Sequence, residues 1–325
     1  MKYSMNKEEK DNQTMVAEFI LLGFRTLPHL QIIFFVIFLI IYMVTMAGNI
    51  LIVVVIIVNH SLHKPMFFFL GNFSFLETCY TSTILPRILA SFVTDYHRIS
   101  FNGCFLQFYF FAFLAAAESY LLSIMSYYWY IAICKPLHYI TIMKNRSCIQ
   151  LSLVSWMVGL MAVAVTTFFT SQLTFCGANR IDNLFCDYAP LLILSCSPTE
   201  QTEMAVLVLG SACTLPHLLL TMTSYFFIIR TIFGIPSIIG RSKAFSTCSS
   251  HLIVMTIFYG TLIIVYLSTD SKLRSLNKVF SVFYTILTPM INPFIYTLRN
   301  GQFKKALGKT ISKLSLRISL GVQSR

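Results

Sequence analysis

Residues 30–58 read LQIIFFVIFLIIYMVTMAGNILIVVVIIV, twenty-nine positions without one formal charge. Wound as an α-helix at about 1.5 Å per residue, the stretch is roughly 43 Å long, more than the ~30 Å of hydrocarbon in a bilayer. Helical periodicity says little here, because a helix in lipid is apolar nearly all round. Length and absence of charge decide that it spans a membrane.

Six more stretches follow on the same criterion, at about 65–90, 101–134, 148–169, 204–230, 243–267 and 278–298. The composition agrees: 56% of the 325 residues are hydrophobic and 11% charged, with mean hydropathy +0.74, against about 25% charged in a soluble domain. Together they leave no room for a separate soluble catalytic domain. Pro86, Pro216, Pro289 and Pro293 fall inside spans, where neighbouring helices satisfy the freed carbonyls. The fold class is an all-α membrane protein, a bundle of seven transmembrane helices.

Basic residues set its direction. With the N-terminus outside, the inner loops and tail carry fourteen Lys and Arg and no acid. The other ten basic residues lie outside with ten of the twelve acids, and Glu77 and Glu118 fall within helices. The net charge of +12 is thus a cytoplasmic face rather than a nucleic-acid footprint. The chain divides into an extracellular segment 1–29, a bundle 30–299 and a cytoplasmic tail 300–325. No signal-peptide core occurs in the first segment, so the first helix serves as its own anchor. Asn12 begins an outer glycosylation triplet, Asn-Gln-Thr.

Four of the nine cysteines face the oxidising side: Cys104 at the outer end of the third helix, and Cys176, Cys186 and Cys196 in the long segment 170–203. Four cysteines allow three pairings, and the spacing does not choose among them. A bridge from Cys104 into the long segment folds that segment over the bundle as a lid.

Several motifs stand in order on these helices: Gly48-Asn49, PMFFFL at 65–70, IAICKPLHY at 131–139, Ser224-Tyr225, KAFSTCSSHL at 243–252 and PMINPFIYTLRN at 289–300. With them the chain resembles vertebrate olfactory receptors, a branch of the rhodopsin-like G-protein-coupled receptors, over nearly its whole length. The resemblance implies a multi-pass plasma-membrane receptor, not an enzyme. Its partners are then a small volatile odorant, membrane lipid and a heterotrimeric stimulatory G protein that raises cyclic AMP. It also implies the disulfides Cys104–Cys186 and Cys176–Cys196.

One departure is large. Where the family reads MAYDRYVAIC, residues 125–134 read MSYYWYIAIC. Tyr128 replaces the Asp, and Trp129 replaces the Arg that in the family helps to receive the G protein. Trp offers bulk and one N–H, but no charge and no fork of donors. Losing both charges together avoids a lone buried ion, so the fold survives and signalling is the function at stake.

Glu77 and Glu118 are the acids inside the bilayer, where ionisable groups are rare and mark function. The resemblance places them facing each other beside Asn292, with a sodium ion as the expected occupant between the helices. A protonated, hydrogen-bonded structural pair is the alternative. The family usually has Asp at the position of Glu77.

The ligand cavity is expected in the outer half, under the lid. Down the third helix from Cys104, Phe108, Phe111, Ala112, Ala115 and Ser119 share one face. The fifth helix offers Val206, Leu209, Gly210 and Cys213; the sixth offers Tyr259, Leu262, Ile263 and Tyr266. Such a cavity has no charge to pair with an ionic ligand and suits an apolar volatile, bound by burial of about 25 cal/mol per Å².

On the inner side, Trp129, Tyr225, Lys243, Tyr296 and Arg299 form the expected G-protein face, and His251 reads as a packing histidine. Past Asn300-Gly301, Phe303, Leu307, Ile311 and Leu314 share a helical face flanked by Lys304, Lys305, Lys309 and Lys313. That pattern is a short amphipathic helix on the anionic inner leaflet. Two other readings stand beside the receptor: a binding protein of the same fold whose signalling Tyr128-Trp129 impair, and, more remotely, a transporter or channel. No internal repeat supports the last.

Overall fold

The computed structural model describes residues 16–23, 30–94, 97–177, 179–267 and 283–323. Asn12 lies outside the described residues. The spanning helices are α1 (Gln31–Val58), α2 (Pro65–Thr94), α3 (Phe101–Cys134), α5 (Asn145–Ser171), α7 (Glu200–Phe233) and α8 (Ile238–Leu267). The seventh span enters through a π-helical turn, Phe283–Leu287, and continues as α9 (Thr288–Arg299). Between them lie α4 (Pro136–Ile142) on the inner side and α6 (Tyr188–Leu194) on the outer; α10 (Gly301–Gln323) forms the tail.

The helices α5, α7 and α8 begin three to five residues before the sequence boundaries, and α2 ends four later. Helices here continue past the hydrocarbon, because intrahelical hydrogen bonds satisfy the backbone in either medium. Among the described residues α1, α3, α5 and α7 are apolar enough to cross a membrane by length and composition alone. Helix α2 is more polar, carrying Asn72, Ser74, Glu77, Thr78 and Thr81, and buries Ser74, Glu77 and Thr81 against its neighbours. Helix α8 opens on the basic, serine-rich inner segment.

Helix α3 runs through the middle, packed on α2, α5, α7 and α8, while α1 packs on α2 and α9. Outward faces stay apolar, as at Ile32, Met157 and Met222, which suits contact with lipid tails. Since lipid supplies no hydrophobic drive between helices, close backbone approach does much of the holding. Gly159 on α5 shows this: a Cβ there would sit 3.1 Å from Ala117 N and 3.2 Å from Phe113 O of α3. At Gly48 on α1 an added Cβ would meet Pro293 of α9 at 3.1 Å.

Outside, the chain makes a three-stranded sheet in the order β2-β1-β3, with β1 Glu18–Leu21, β2 Arg98–Ser100 and β3 Arg180–Ile181. Strand β1 pairs antiparallel with β2 (Phe19 opposite Ile99) and parallel with β3 (Ile20 opposite Arg180). The lid therefore joins three separate outer segments, whereas the sequence pointed to the long loop alone. A four-residue strand with mixed side chains carries too little local signal to be seen before its partners are in place.

Candidate functional site

The cysteine pairings are Cys104–Cys186, with Cα atoms 5.5 Å apart, and Cys176–Cys196, at 6.0 Å. The first ties the start of α3 to the long loop; the second closes the loop on itself. Next to Cys186, Asp187 accepts a hydrogen bond from Tyr188 N at 2.8 Å and caps α6. Burial pushes the Asp187 carboxyl above the ordinary carboxylate value, and the backbone donor offsets part of that rise. Burial likewise carries the Tyr188 phenol up to about 12.

Beneath the lid, Phe108 and Phe111 are buried. The Phe111 ring packs on Phe185 of the loop at 4.8 Å and on Tyr80 of α2 at 5.3 Å. Ala112 and Ala115 are half-buried on α3; Val206, Leu209 and Cys213 are half-buried on α7. Gly210 is exposed, and a Cβ added there would meet nothing within 4 Å. Tyr259 is half-buried on α8. The side chains of Leu262, Ile263 and Tyr266 lie outside the described residues.

The floor of this region is a polar cluster of which the sequence pointed to Ser119 and Tyr259 but not to His217. His217 of α7, buried, shares a 3.0 Å hydrogen bond between Nδ1 and Tyr259 Oη, and its Nε2 lies 3.5 Å from Ser119 Oγ. Tyr120 packs on the His217 ring at 4.9 Å and donates to Cys213 O at 2.9 Å, while Ser123 donates to His217 O at 2.9 Å. The signal was present: a histidine within a span, four residues from Cys213 on the same face, is as costly in lipid as the two glutamates.

Deeper still, Asn292 Nδ2 donates to Glu77 Oε1. Asn49 Nδ2 donates to Thr45 O at 3.1 Å and to Pro289 O at 3.2 Å, linking α1 to α9. Glu118 is buried close enough to Glu77 for the carboxyls to interact electrostatically. Glu77 Oε2, Glu118 Oε1 and Asn292 Oδ1 are buried without a hydrogen-bond partner among the described residues. These are three hard oxygen donors from α2, α3 and α9.

At the inner end a cavity of about 560 Å³ opens, walled by Met125, Tyr128, Trp129 and His251, with Lys64 and Lys305 among its lining. Trp129 lies edge-to-face with Tyr128 at 5.2 Å; Tyr128 meets Phe69 at 6.3 Å and places its Oη 3.4 Å from Tyr139 Oη. An aromatic cluster thus occupies the place of an Asp-Arg pair. Tyr225 and His251 share a 2.6 Å hydrogen bond from Oη to Nδ1, and their rings stack at 5.9 Å. The side chains of Lys243, Tyr296 and Arg299 lie outside the described residues.

Helix α10 is capped by Asn300, whose Oδ1 accepts from Gln302 N and Phe303 N at 3.0 and 3.1 Å. It buries Phe303 and Ala306, bonds to α1 through Asn59 and Thr310 (2.9 Å), and exposes Lys304, Lys305 and Lys309. Ile311 is exposed too, apolar surface on the side that would meet lipid; the Leu314 side chain lies outside the described residues.

A seven-helix membrane bundle with a disulfide-stapled lid outside, ionisable groups buried at mid-depth and a basic cavity inside is a receptor architecture. The comparisons say which. The olfactory receptor family model matches residues 38–314. Human olfactory receptor 2AP1 is 46% identical over 304 residues, covering 93% of this chain and 98% of that protein; human olfactory receptor 6C4 is 45% identical over the same shares. Mouse olfactory receptor 5AR1 is 45% identical over 306 residues, with 94% and 99% covered. The chain belongs to the olfactory receptor family, and it is a multi-pass membrane protein.

Proposed function

We propose that this receptor binds small, volatile, apolar odorants in the outer half of the bundle and activates a stimulatory G protein, raising cyclic AMP, from the plasma membrane. What carries the reading is family membership over almost the full chain, joined to an aromatic and aliphatic region beneath the lid with the His217–Tyr259–Ser119 cluster as its floor. Burial then supplies affinity, and the cluster's hydroxyl and imidazole groups orient one polar atom of the odorant. Activation is a population shift, requiring the odorant to favour the active arrangement. Tyr259 sits on α8 and is bonded to α7, so an odorant that displaces the Tyr259–His217 bond biases the relation of those helices.

The unpartnered oxygens of Glu77, Glu118 and Asn292 suit a hard cation, and a sodium ion is the expected occupant. Thermal stability that rises with sodium but not with choline, and loses that rise in Glu118→Ala, is the expected result; equal responses to both salts would remove the ion. Asn12 is the expected glycan acceptor.

The second reading is a receptor that binds odorant without activating the G protein. It rests on Trp129, which places an indole where a guanidinium is expected. Cyclic AMP in cells challenged with an odorant panel, with surface staining in parallel, separates the two. A response from the natural chain equal to that of Tyr128→Asp/Trp129→Arg supports coupling through Trp129. A response from the double variant alone, at equal surface level, supports the silent receptor. Neither responding to any odorant while both reach the surface would count against the odorant reading itself.

A further inference from the structure

We propose that the inner cavity is a binding site for a single-chain fatty carboxylate drawn from the cytoplasmic leaflet. The inference goes beyond odorant recognition and does not depend on coupling.

The cavity has two chemically distinct parts. Its wall is mainly apolar and aromatic, with Met66, Phe67, Met125 and Trp129, broken on the α8 side by Ser250 and His251. Its mouth carries Lys64, Lys305 and Gln302. Lys64 Nζ donates to Gln302 Oε1 at 3.2 Å, which leaves it two further N–H donors. Both lysines are exposed, and the sequence puts no carboxylate on any inner loop or on the tail up to Arg325. Two ammonium groups therefore stand at the rim of a largely aromatic cavity, with no acidic side chain of this chain on their side of the membrane. An amphiphile with an anionic head and one apolar tail complements both parts. About 560 Å³ lies within the usual range for small-molecule sites, and admits one acyl chain rather than the two of a phospholipid.

The head is a carboxylate rather than a phosphate for a structural reason. Phosphate sites typically add helix N-terminal amides or arginine forks to any lysines they use. Here the Gln302 and Phe303 amides at the start of α10 are already taken by Asn300 Oδ1, and among the described residues no arginine lines the cavity. Two lysine point charges match two carboxylate oxygens. The source lies at hand, because α10 leads its exposed lysines along the inner leaflet, where free fatty acids partition.

The chain contains two tryptophans, which makes the test direct. Trp129 borders the cavity, whereas Trp156 lies on α5 between Phe75 and Phe113. The full chain carrying Trp156→Phe is placed in zwitterionic nanodiscs and titrated with 11-bromoundecanoate, whose bromine quenches indole. The expected result is saturable quenching of Trp129, weakened at least tenfold in Lys64→Gln/Lys305→Gln. With 11-bromoundecanol the quenching should rise linearly without saturating. The Trp129→Phe chain, reporting from Trp156, should show only the linear component with either probe. Both lysine replacements are on the surface, and circular dichroism before titration identifies chains that have kept their helices. Equal behaviour of acid and alcohol, or quenching indifferent to the lysine replacements in folded chains, overturns the proposal. Tighter saturable quenching by a brominated lysophosphatidate than by the carboxylate overturns the choice of head group.

Discussion

Replacing Trp129 with Arg alone should destabilise the receptor more, by about 1 kcal/mol, than restoring Asp and Arg together. Trp129 and Tyr128 are 5% and 8% exposed, edge-to-face at 5.2 Å, a pair that contributes about 0.5–1.5 kcal/mol beyond its burial. Trp129→Arg loses that contact and sets a lone guanidinium among Met125, Phe67 and Tyr128. A buried charge without its partner costs about 3–5 kcal/mol, and because the neighbouring cavity admits water the lower figure, about 3 kcal/mol, applies. Tyr128→Asp alone costs less, about 2 kcal/mol, since a carboxyl with no counter-charge takes up a proton instead. The double variant makes its own ion pair and should cost about 2 kcal/mol, so the two changes couple favourably by about 3 kcal/mol, or roughly a hundredfold in the unfolding equilibrium. Reversible unfolding of the four chains in one detergent measures the cycle. Single effects that add to the double within about 0.5 kcal/mol would refute the argument, because positions 128 and 129 would then be independent and the aromatic pair would not substitute for an ionic one.

Gly159→Ala places a methyl against backbone atoms of α3 that cannot yield, so overpacking of about 1–3 kcal/mol outweighs the ~1 kcal/mol that alanine gains in helix propensity. Thermal unfolding should fall in that variant and rise slightly in Gly210→Ala, where the added Cβ meets nothing. Because the folded-state carboxyl of Asp187 sits above its ordinary value of 3.8, its contribution is fully present below that value and is lost as pH rises through the folded-state value. The protection of amides 187–194 relative to their intrinsic base-catalysed exchange should fall over that rise, and Asp187→Asn, which keeps the cap acceptor, should abolish the fall. Cys104→Ala should loosen the lid more than Cys176→Ala: loops of 82 and 20 residues correspond to about 4.5 and 3.3 kcal/mol of chain entropy, upper figures where helices remain in the bilayer. Proteolysis of segment 170–203 reads the difference, and equal rates would count against it.

Much of the architecture was legible because lipid imposes strong local rules. Residues 30–58 announce a span by length and lack of charge, and the fourteen inner basic residues orient the bundle without reference to any contact. The tail pattern from Phe303 to Lys309 likewise showed itself as amphipathic before its burial against α1 was known. Glu77 and Glu118 stood out because charge in hydrocarbon is costly wherever the helix happens to pack.

Contacts between segments far apart in the chain were a different matter. Phe19, Ile99 and Arg180 give no local sign that they share one sheet, since a two- to four-residue strand exists only through its partners. His217 stands out in the sequence only as a costly polar group within a span; that Tyr259 of α8 and Ser119 of α3 close around it is shown by the packing alone. The sequence could say that Tyr128 and Trp129 had lost their charges; only the packing shows that they fill the space with an aromatic cluster on Phe69 and Tyr139. The membrane dictates spans, direction and charge through solvation, which each residue feels alone. Which groups meet across the bundle depends on helix rotation and close approach, as at Gly48 with Pro293 and Gly159 with Ala117, and those are properties of the assembled tertiary structure.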